Sequence, residues 1–321
     1  MKLDDLEGKI FLDSSFPLPL DRPFTSAQAR AEGIASPQLT WLHSNGFLRS
    51  PIKSVYLASQ AGDSTLLRCQ SLALVVPEDC VVCDRHAGWL LGAEMVLAPN
   101  EHIELQPISV FRPSGFGRLR NDLADSGERN LIESDVIELG GIRVTSPLRT
   151  AWDLGRVRWT DQAIAGIDVM LGLGLFSKEE FLDGVERFRR TRWVTVLRAV
   201  APLGDGRSQS PGESVLRLRW IEVHLPTPHP QLEVWRDEQL IAILDIANGE
   251  LRYAAEYDGA EWHSSPEQRE HDRRRRDAVR DENWVVDAFV AENLFGRKQN
   301  AEAMLRNGAA EARRRFGRGV A

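Results

Sequence analysis

The sequence has little cysteine and no long apolar run, and both shortages restrict the class of protein. Three cysteines among 321 residues are too few for a disulfide framework. No run of about 18 apolar residues occurs, so no membrane-spanning helix is expected. The first residues, MKLDDLEGKIF, are acidic and lack the apolar core of a signal peptide. These shortages predict a cytoplasmic protein with no membrane partner.

Positive charge is also in the minority. The 40 Lys and Arg residues are outnumbered by 47 Asp and Glu residues, and the net charge of −7 argues against indiscriminate nucleic-acid binding. The cations are nevertheless concentrated in Arg187–Arg192, Arg273–Arg276 and Arg297–Ala321. Such local patches can contact phosphate even when the whole protein is acidic. The first of them is either a solvated helix face or part of a surface that faces DNA.

Length and composition predict several globular domains. A chain of 321 residues suits two or three domains, each large enough to bury a core. With 42% hydrophobic and 27% charged residues, the chain is globular rather than disordered. The segment Ala201–Gly212 is rich in Gly, Pro and Ser and is predicted to be a linker. The predicted fold is multidomain α/β (α+β), divided into the regions 1–60, 61–156, 157–204 and 205–321.

Helix signals follow a Pro- and Asp-containing arm at residues 1–23. A short helix capped by Ser26 precedes a second helix, Ser36–Ser44, which has a proline in its first turn. Phe47–Leu57 is then predicted to form two short strands around Ser50–Pro51. Helix, turn, helix and hairpin together resemble the winged helix-turn-helix at the N-terminus of AbiEi-type antitoxins.

This resemblance implies DNA binding through the second helix and the hairpin. The helix contains no Lys or Arg, so Gln38, Thr40 and His43 are its candidate base readers. Arg49 and Lys53 are candidates for DNA contacts from the wing. The alternative is a winged helix with a purely structural role. The resemblance also implies a cognate toxin or another protein partner, and it leaves the oligomeric state open.

Residues 64–156 resemble the middle region of the same antitoxin-like proteins. The resemblance is carried by Asp84–Ala87 and by Gly141–Thr150 with Asp153. In the second stretch Ser146 caps a helix that begins with proline, so capping explains these polar residues better than chemistry does. The resemblance implies an α+β middle domain rather than an activity.

The spacing Cys80-x-x-Cys83-x-x-His86, with Cys69 upstream, invites a zinc interpretation. Structural zinc sites usually need four well-spaced ligands, commonly in two close pairs. The two valines between the cysteines are typical of a strand, which would direct Cys80 and Cys83 to opposite faces. Buried strand cysteines are therefore the preferred interpretation.

Helical periodicity predicts a connector over residues 160–200. The apolar run AIAGIDVMLGLGLF is followed by Ser177 with Glu180 three residues later, which is the pattern of a capping box. Ser210–Trp220 is predicted to be the first helix of the last region.

Acidic residues stand where two strands of the last region are predicted to end. The apolar run Ile241–Ile246 contains Asp245, and a second run ends in Glu256 and Asp258, which share one face of a strand. Burying several carboxylates together is costly unless a cation neutralises them. Mg²⁺ prefers hard oxygen ligands of this kind.

Whether Asp245 and Glu256 meet depends on the turn between the strands. A tight turn at Asn248-Gly249 would offset them by about four strand positions, roughly 13 Å. A longer loop over Asn248–Arg252 would place them directly opposite each other, with Cβ atoms about 5 Å apart. Only the second register makes a metal site.

The last region resembles the very-short-patch-repair-like nucleases, a branch of the PD-(D/E)XK superfamily. The resemblance covers about 210–295 and is carried by Glu213, Gln231, Asp245, Glu256-Tyr257-Asp258-Gly259, His263 and Asp272-x-x-Arg275. It implies a mixed sheet flanked by helices, metal-dependent cleavage of nucleic acid, and the longer hairpin loop. One departure is Asp258, which stands where the superfamily usually has a lysine that helps to activate water.

The resemblance implies that Asp245 and Glu256 are ligands of Mg²⁺, or of Mn²⁺ in its place. His263 is either the base or a packing residue beside Trp262. Glu213 is either a site acid or a favourable charge at a helix N-terminus. Two further residues are also open: Asp258 is a site acid or a turn residue, and Gln231 orients water or pairs at a strand edge.

Arg273, Arg275 and Arg276 are the candidate phosphate contacts beside this site, although Arg275 with Asp272 could equally form a surface ion pair. Two functions remain. The preferred one is a nucleic-acid-interacting protein with a Mg²⁺-dependent endonuclease domain. The alternative is an antitoxin-like transcriptional regulator with a catalytically inactive nuclease fold. The missing lysine favours the regulator, and the retained carboxylates and histidine favour the nuclease.

Overall fold

The computed structural model describes residues 8–93, 107–117, 119, 124–259 and 277–316. Contacts divide the chain into two compact units, Met1–Asp153 and Leu154–Ala321. Each unit contains both helices and sheet, which confirms the expectation of a multidomain α/β (α+β) protein. No helix in the described ranges is both long and apolar enough to cross a membrane.

The first unit begins with a small antiparallel sheet and two helices. Its elements are β1 (Phe24–Thr25), α1 (Ser26–Ala31), α2 (Ser36–Ser44), β2 (Leu48–Ile52) and β3 (Val55–Ala58), with strand order β1-β3-β2. Thr25 rather than Ser26 caps α1, because its hydroxyl accepts the Gln28 N–H at 3.1 Å. The preceding arm is part of the core, since Leu12 and Phe16 are buried beside Phe24.

The hairpin turn between β2 and β3 differs from the predicted one. It falls at Lys53–Ser54, where Ser54 has φ +69°, and not at Ser50–Pro51. The proline lies inside β2, at a register irregularity between Arg49 and Ile52. Proline cannot donate to a strand ladder, so it is tolerated at such an irregularity. The prediction failed because proline was taken as a turn signal.

A second sheet completes the first unit. Its elements are α3 (Thr65–Ala73), β4 (Val81–Val82), α4 (Asp84–Leu90), β5 (Ile108–Pro113), β6 (Ala124–Arg129), β7 (Val136–Leu139), β8 (Ile142–Thr145) and α5 (Pro147–Gly155). The strand order is β6-β5-β4-β8-β7. The β4–β8 and β5–β6 pairs are parallel, whereas β4–β5 and β7–β8 are antiparallel.

The polar residues of the middle region form a buried ion-pair network. The Arg149 guanidinium contacts Asp135 at 2.7 Å and Asp153 at 2.9 Å, and all three side chains are at most 2% exposed. Arg129 joins the network through Asp153 at 2.9 Å and Asp84 at 2.7 Å. The predicted cap is present as well, because the Ser146 carbonyl and hydroxyl accept N–H groups of α5.

The cysteines are buried, as expected. Cys69, Cys80 and Cys83 are each at most 1% exposed and have free thiols. The Nδ1 atom of His86 accepts the Ser109 N–H at 3.2 Å, so this ring nitrogen is occupied. Among the residues that the structure describes, no group of three or more His, Cys, Asp or Glu side chains could hold a metal ion.

The second unit opens with four helices. These are α6 (Thr160–Gly172), α7 (Lys178–Asp183), α8 (Val194–Val200) and α9 (Pro211–Glu222). The predicted capping box of α7 is present between Ser177 and Glu180. Between α6 and α9, Asp168 and Arg217 form a buried ion pair at 2.6 Å. The predicted linker is also engaged, because the Asp205 N–H donates to Asp168 at 2.8 Å.

A four-stranded mixed sheet forms the rest of the second unit. Its elements are β9 (His229–Arg236), β10 (Gln239–Asn248), β11 (Tyr253–Tyr257), β12 (Val285–Phe289), α10 (Ala291–Leu294) and α11 (Ala301–Phe316). The order is β12-β11-β10-β9, with β11 and β12 parallel and the other pairs antiparallel. Helices α9 and α11 pack against the sheet around Trp220, Tyr253 and Phe289. The Trp220 and Tyr253 rings stack with centroids 5.2 Å apart.

The buried Asp168–Arg217 pair gives a testable expectation for stability. Burial raises the pKa of Asp168, and the Arg217 charge opposes that rise. Arg217→Met would leave a buried carboxylate without its cation, so we expect a loss of about 3–5 kcal/mol in urea unfolding. The control is Arg306→Met, which breaks the exposed Arg306–Glu302 pair and should cost at most about 1 kcal/mol. Equal losses would contradict a structural role for the buried pair.

Candidate active site

The register of β10 on β11 decides whether the predicted acids meet. Ile246 pairs with Ala255, and continuing the register by one residue places Asp245 opposite Glu256. This is the register of the longer hairpin loop, which spans the four residues 249–252. Asn248 holds that loop, because its Oδ1 accepts the Leu251 N–H at 2.8 Å. The choice of the longer loop is therefore confirmed.

Gln231 extends the same row onto the edge strand. In the β9–β10 register Leu244 pairs with Leu232 and Ile246 with Pro230, so the residue opposite Asp245 is Gln231. Residues directly opposite in an antiparallel pair have neighbouring side chains. The row Gln231, Asp245 and Glu256 thus crosses three strands.

Asp245 and Glu256 occupy a sheltered part of the sheet. Glu256 is 9% exposed and Asp245 is half-buried. The Asp245 carboxylate accepts the Tyr257 backbone N–H at 2.8 Å, which fixes it against the end of β11. Asp258 follows directly after β11 and is exposed, and its backbone N–H donates to the Phe289 carbonyl at 2.7 Å.

Glu213 joins the row from the first turn of α9. Its N–H donates to the Ser210 hydroxyl at 3.1 Å, so Ser210 caps the helix that was predicted to begin there. The Glu213 carboxylate accepts the Gln209 N–H at 2.8 Å and the Gln231 amide at 3.1 Å. Burial raises the pKa of Glu213, and the nearby Asp245 charge raises it further. We call Glu213, Gln231, Asp245 and Glu256 the acidic cluster.

A close contact that the sequence did not reveal seats α9 on this cluster. A Cβ atom at Gly212 would lie 2.1 Å from the Tyr257 ring, so only glycine fits there. Because Gly212 precedes Glu213 and Tyr257 follows Glu256, this contact places the start of α9 next to the end of β11. The adjacent Gly212 and Glu213 were a signal for such a close approach, since glycine often marks where another group comes near the backbone.

Several predicted residues fall outside the described part of the chain. These are His263, Asp272, Arg273, Arg275 and Arg276. Their roles as base and phosphate contacts stay predictions.

The residues predicted to read DNA in the first unit have other contacts. The Gln38 side chain accepts the Ala35 N–H at 2.8 Å, and the Thr40 hydroxyl donates to the Ser36 carbonyl at 3.1 Å. The Arg49 guanidinium donates to the carbonyls of residues 61 and 62. His43 and Lys53 are exposed. DNA contact by these five residues stays a prediction, and the last two are the more available.

Comparison with known proteins gives little functional information. No protein-family model matches the chain. Two proteins of Mycobacterium tuberculosis, "Uncharacterized protein MT2308" of strain CDC 1551 / Oshkosh and "Uncharacterized protein Rv2248" of strain ATCC 25618 / H37Rv, are each 29% identical over 163 residues. The alignment covers 49% of this chain and 58% of each relative, so the chain spans little more than half of their length. Neither name states an activity.

The raised pKa of Glu213 predicts how one substitution depends on pH. Above its folded-state pKa, the Glu213 carboxylate is charged in both the folded and the unfolded protein, and burying that charge lowers the stability of the folded state. Below its unfolded-state pKa, Glu213 is neutral in both states, so this loss of stability is absent. Glu213→Gln keeps an acceptor for the Gln209 N–H and removes the charge. We therefore expect it to raise the urea midpoint at pH 8 and to leave it nearly unchanged at pH 4.

The control for this measurement is Glu250→Gln, which removes an exposed carboxylate from the loop between β10 and β11. Its effect should be small at both pH values. A Glu213→Gln variant that lowers stability more at pH 8 than at pH 4 would contradict the assigned pKa direction.

Proposed function

We propose that the protein acts on nucleic acid through a metal-dependent endonuclease domain in its last region. The observation that carries the proposal is the placement of Asp245 opposite Glu256 on adjacent strands. The mixed sheet with α9 and α11 against it also agrees with the architecture that the nuclease resemblance implies. Phosphodiester hydrolysis is the reaction that this combination supports best.

The chemistry of the acidic cluster fits Mg²⁺ as a partial ligand set. Mg²⁺ is usually bound by one or two carboxylates, with waters and substrate phosphate completing its shell. Asp245 and Glu256 supply two adjacent carboxylates, although the described residues form no group of three or more such ligands. Burial raises the pKa of Glu213, and the Asp245 charge raises it further, which agrees with a site that gathers negative charge.

Each residue of the cluster has a distinct role in this proposal. Asp245 and Glu256 would hold Mg²⁺ or Mn²⁺, which supplies Lewis-acid stabilisation and an acidified water when bound. The Tyr257 N–H orients the Asp245 carboxylate, and Glu213 holds the Gln231 amide beside it. His263 would be the base, as the resemblance implies, and Arg273, Arg275 and Arg276 would contact phosphate.

The second candidate function is an AbiEi-like antitoxin or transcriptional regulator with an inactive nuclease fold. It is favoured by Asp258, an exposed acid where the nuclease resemblance would place lysine. An acid there cannot stabilise developing negative charge as a lysine does. In this case the first unit would supply the DNA contacts, and a cognate toxin or other protein would be the partner.

Metal-dependent cleavage tests the first function directly. We expect the full chain to nick supercoiled plasmid with Mg²⁺ or Mn²⁺, and not with EDTA. Asp245→Asn and Glu256→Gln should each reduce the nicking rate about 100-fold or more, because each removes a carboxylate from the metal. The control, Glu250→Gln, changes an exposed acid in the same hairpin and should retain activity.

Calorimetric titration with Mn²⁺ gives a readout that does not depend on turnover. Both cluster variants should bind Mn²⁺ more weakly than Glu250→Gln does. A chain that binds no divalent ion and nicks no substrate would overturn the nuclease proposal and favour the regulator.

A further inference from the structure

A surface on the second unit combines exposed arginines with tryptophans. It is formed by two segments, Arg156–Trp159 before α6 and Arg187–Trp193 between α7 and α8. The Arg156 guanidinium joins them, because it donates to the Arg192 carbonyl at 3.5 Å and lies 5.0 Å from the centre of the Phe188 ring. We call these two segments the arginine–tryptophan surface.

This surface carries four exposed arginines, one of which, Arg189, has a favourable charge interaction with Glu186. They are Arg158, Arg189, Arg190 and Arg192, and none of the four forms a direct ion pair with any residue in the described ranges. By contrast, the neighbouring Arg198 pairs with Glu186 at 2.7 Å. Four such cations are notable in a chain whose net charge is −7. A local positive patch of this kind attracts polyanions.

The backbone holds the second segment in a defined shape. Arg190 and Trp193 have φ values of +66° and +62°, which are unfavourable for residues other than glycine. The Thr191 hydroxyl and N–H both donate to the Phe188 carbonyl, at 2.6 and 3.0 Å. Strained backbone of this kind persists only where surrounding contacts fix it, and it often occurs at binding sites. The arginines are therefore presented on a fixed turn.

Each segment ends in an indole that is paired with an arginine. Trp159 is 57% exposed, and the Arg158 guanidinium lies 4.6 Å from its ring centre. Trp193 is half-buried, and Arg192 lies 4.9 Å from its ring centre. Indole rings and guanidinium planes are both surfaces on which nucleobases stack. In a duplex the bases are stacked inside the helix and cannot reach such rings. The arginine–tryptophan contacts therefore suit single-stranded nucleic acid, whose bases are accessible.

The surface and Glu213 of the acidic cluster lie beside opposite ends of α9. Trp159 directly precedes α6, whereas Asp168 near its other end contacts Asp205 in the segment that leads to α9. Glu213 and Arg219 are six residues apart, which is about 9 Å along α9. Asp161 near the start of α6 pairs with Arg219 near the end of α9, so the two helices are antiparallel. A nucleic-acid strand bound to the arginine–tryptophan surface would therefore leave the acidic cluster uncovered.

We propose that the arginine–tryptophan surface binds unpaired nucleic acid, with its exposed guanidinium groups on phosphates and Trp159 stacked on a base. The inference shares with the proposed function only the class of ligand. It does not depend on metal binding or on cleavage.

The test uses the full chain and a fluorescein-labelled 20-nucleotide DNA of mixed sequence, either single-stranded or annealed to its complement. Affinity is measured by anisotropy at several salt concentrations without divalent ions. The variant R189Q/R190Q/R192Q should bind the single strand at least about tenfold more weakly, with a salt slope smaller by roughly 2. The control, R22Q/R30Q/R143Q, removes the same charge from exposed positions of the first unit that have no predicted contact with nucleic acid, and it should bind within about threefold of the wild type.

Stacking is tested separately with Trp159→Ala. It should weaken single-strand binding by about tenfold while leaving the salt slope unchanged, and duplex binding should change much less. Circular dichroism should show that these exposed substitutions leave the fold intact. Equal losses for the two triple variants, an unaffected Trp159→Ala protein, or no binding of either DNA would each overturn the inference.

The same measurements separate this inference from the nuclease proposal. Asp245→Asn and Glu256→Gln should bind the single strand as the wild type does, since neither residue belongs to the arginine–tryptophan surface. Binding without any cleavage would therefore refute only the nuclease, and cleavage with unchanged binding by R189Q/R190Q/R192Q would refute only the surface.

Discussion

The pairing of β10 with β11 is the constraint on which the candidate site depends. A slip of one residue would send every side chain of β10 to the opposite face and separate Asp245 from Glu256. Both polar atoms of the Asn248 amide oppose such a slip. Its oxygen accepts the Leu251 N–H, and its nitrogen donates to the Thr227 carbonyl at 3.0 Å. The parallel pairing of β11 with β12 then makes β11 an interior strand, and Glu256 is buried there.

Two buried acids of the second unit, Asp168 and Glu213, have different kinds of partner. Asp168 has a buried arginine as partner, so its charge is neutralised within the fold. Glu213 accepts hydrogen bonds from the neutral Gln209 N–H and Gln231 amide instead, and Asp245 adds a second negative charge nearby. Neutral donors stabilise a carboxylate less than a cation does. The first arrangement is structural, whereas the second places a buried carboxylate among neutral donors and beside another acid.

Local sequence signals predicted helix starts well and long-range packing poorly. Ser177 with Glu180 and Ser210 with Glu213 are contacts three residues apart, so their caps could be read from spacing alone. The pairing of Asp168 with Arg217 joins residues 49 positions apart, and no local pattern encodes it. The arm at residues 8–23 and the turn at Lys53–Ser54 were missed for related reasons: burial depends on distant partners, and a proline can sit inside an irregular strand.

The sequence indicated which residues form the candidate site, but their arrangement depended on the register of β10 and β11. Its acids were identified by resemblance, yet strand arithmetic allowed two registers that differ by about four positions. Tertiary contacts of Asn248 select one of them. Gln231 was assigned either to water or to a strand edge, and its amide instead contacts Glu213. Such a contact between a strand and a helix lies beyond any periodicity argument.

An acidic cluster that acts on a polyanion needs cations placed elsewhere. In the proposed nuclease, Asp245, Glu256 and Glu213 would repel phosphate without a metal, so affinity would have to come from positive groups that do not neutralise the cluster directly. The arginine–tryptophan surface meets this requirement because it lies beside the last turns of α9, whereas Glu213 lies in the first turn. The buried pair between Asp168 and Arg217 fixes α6 against α9, whose first turn carries Glu213. One packing contact therefore sets the distance between the groups that would hold the strand and the groups that would act on it.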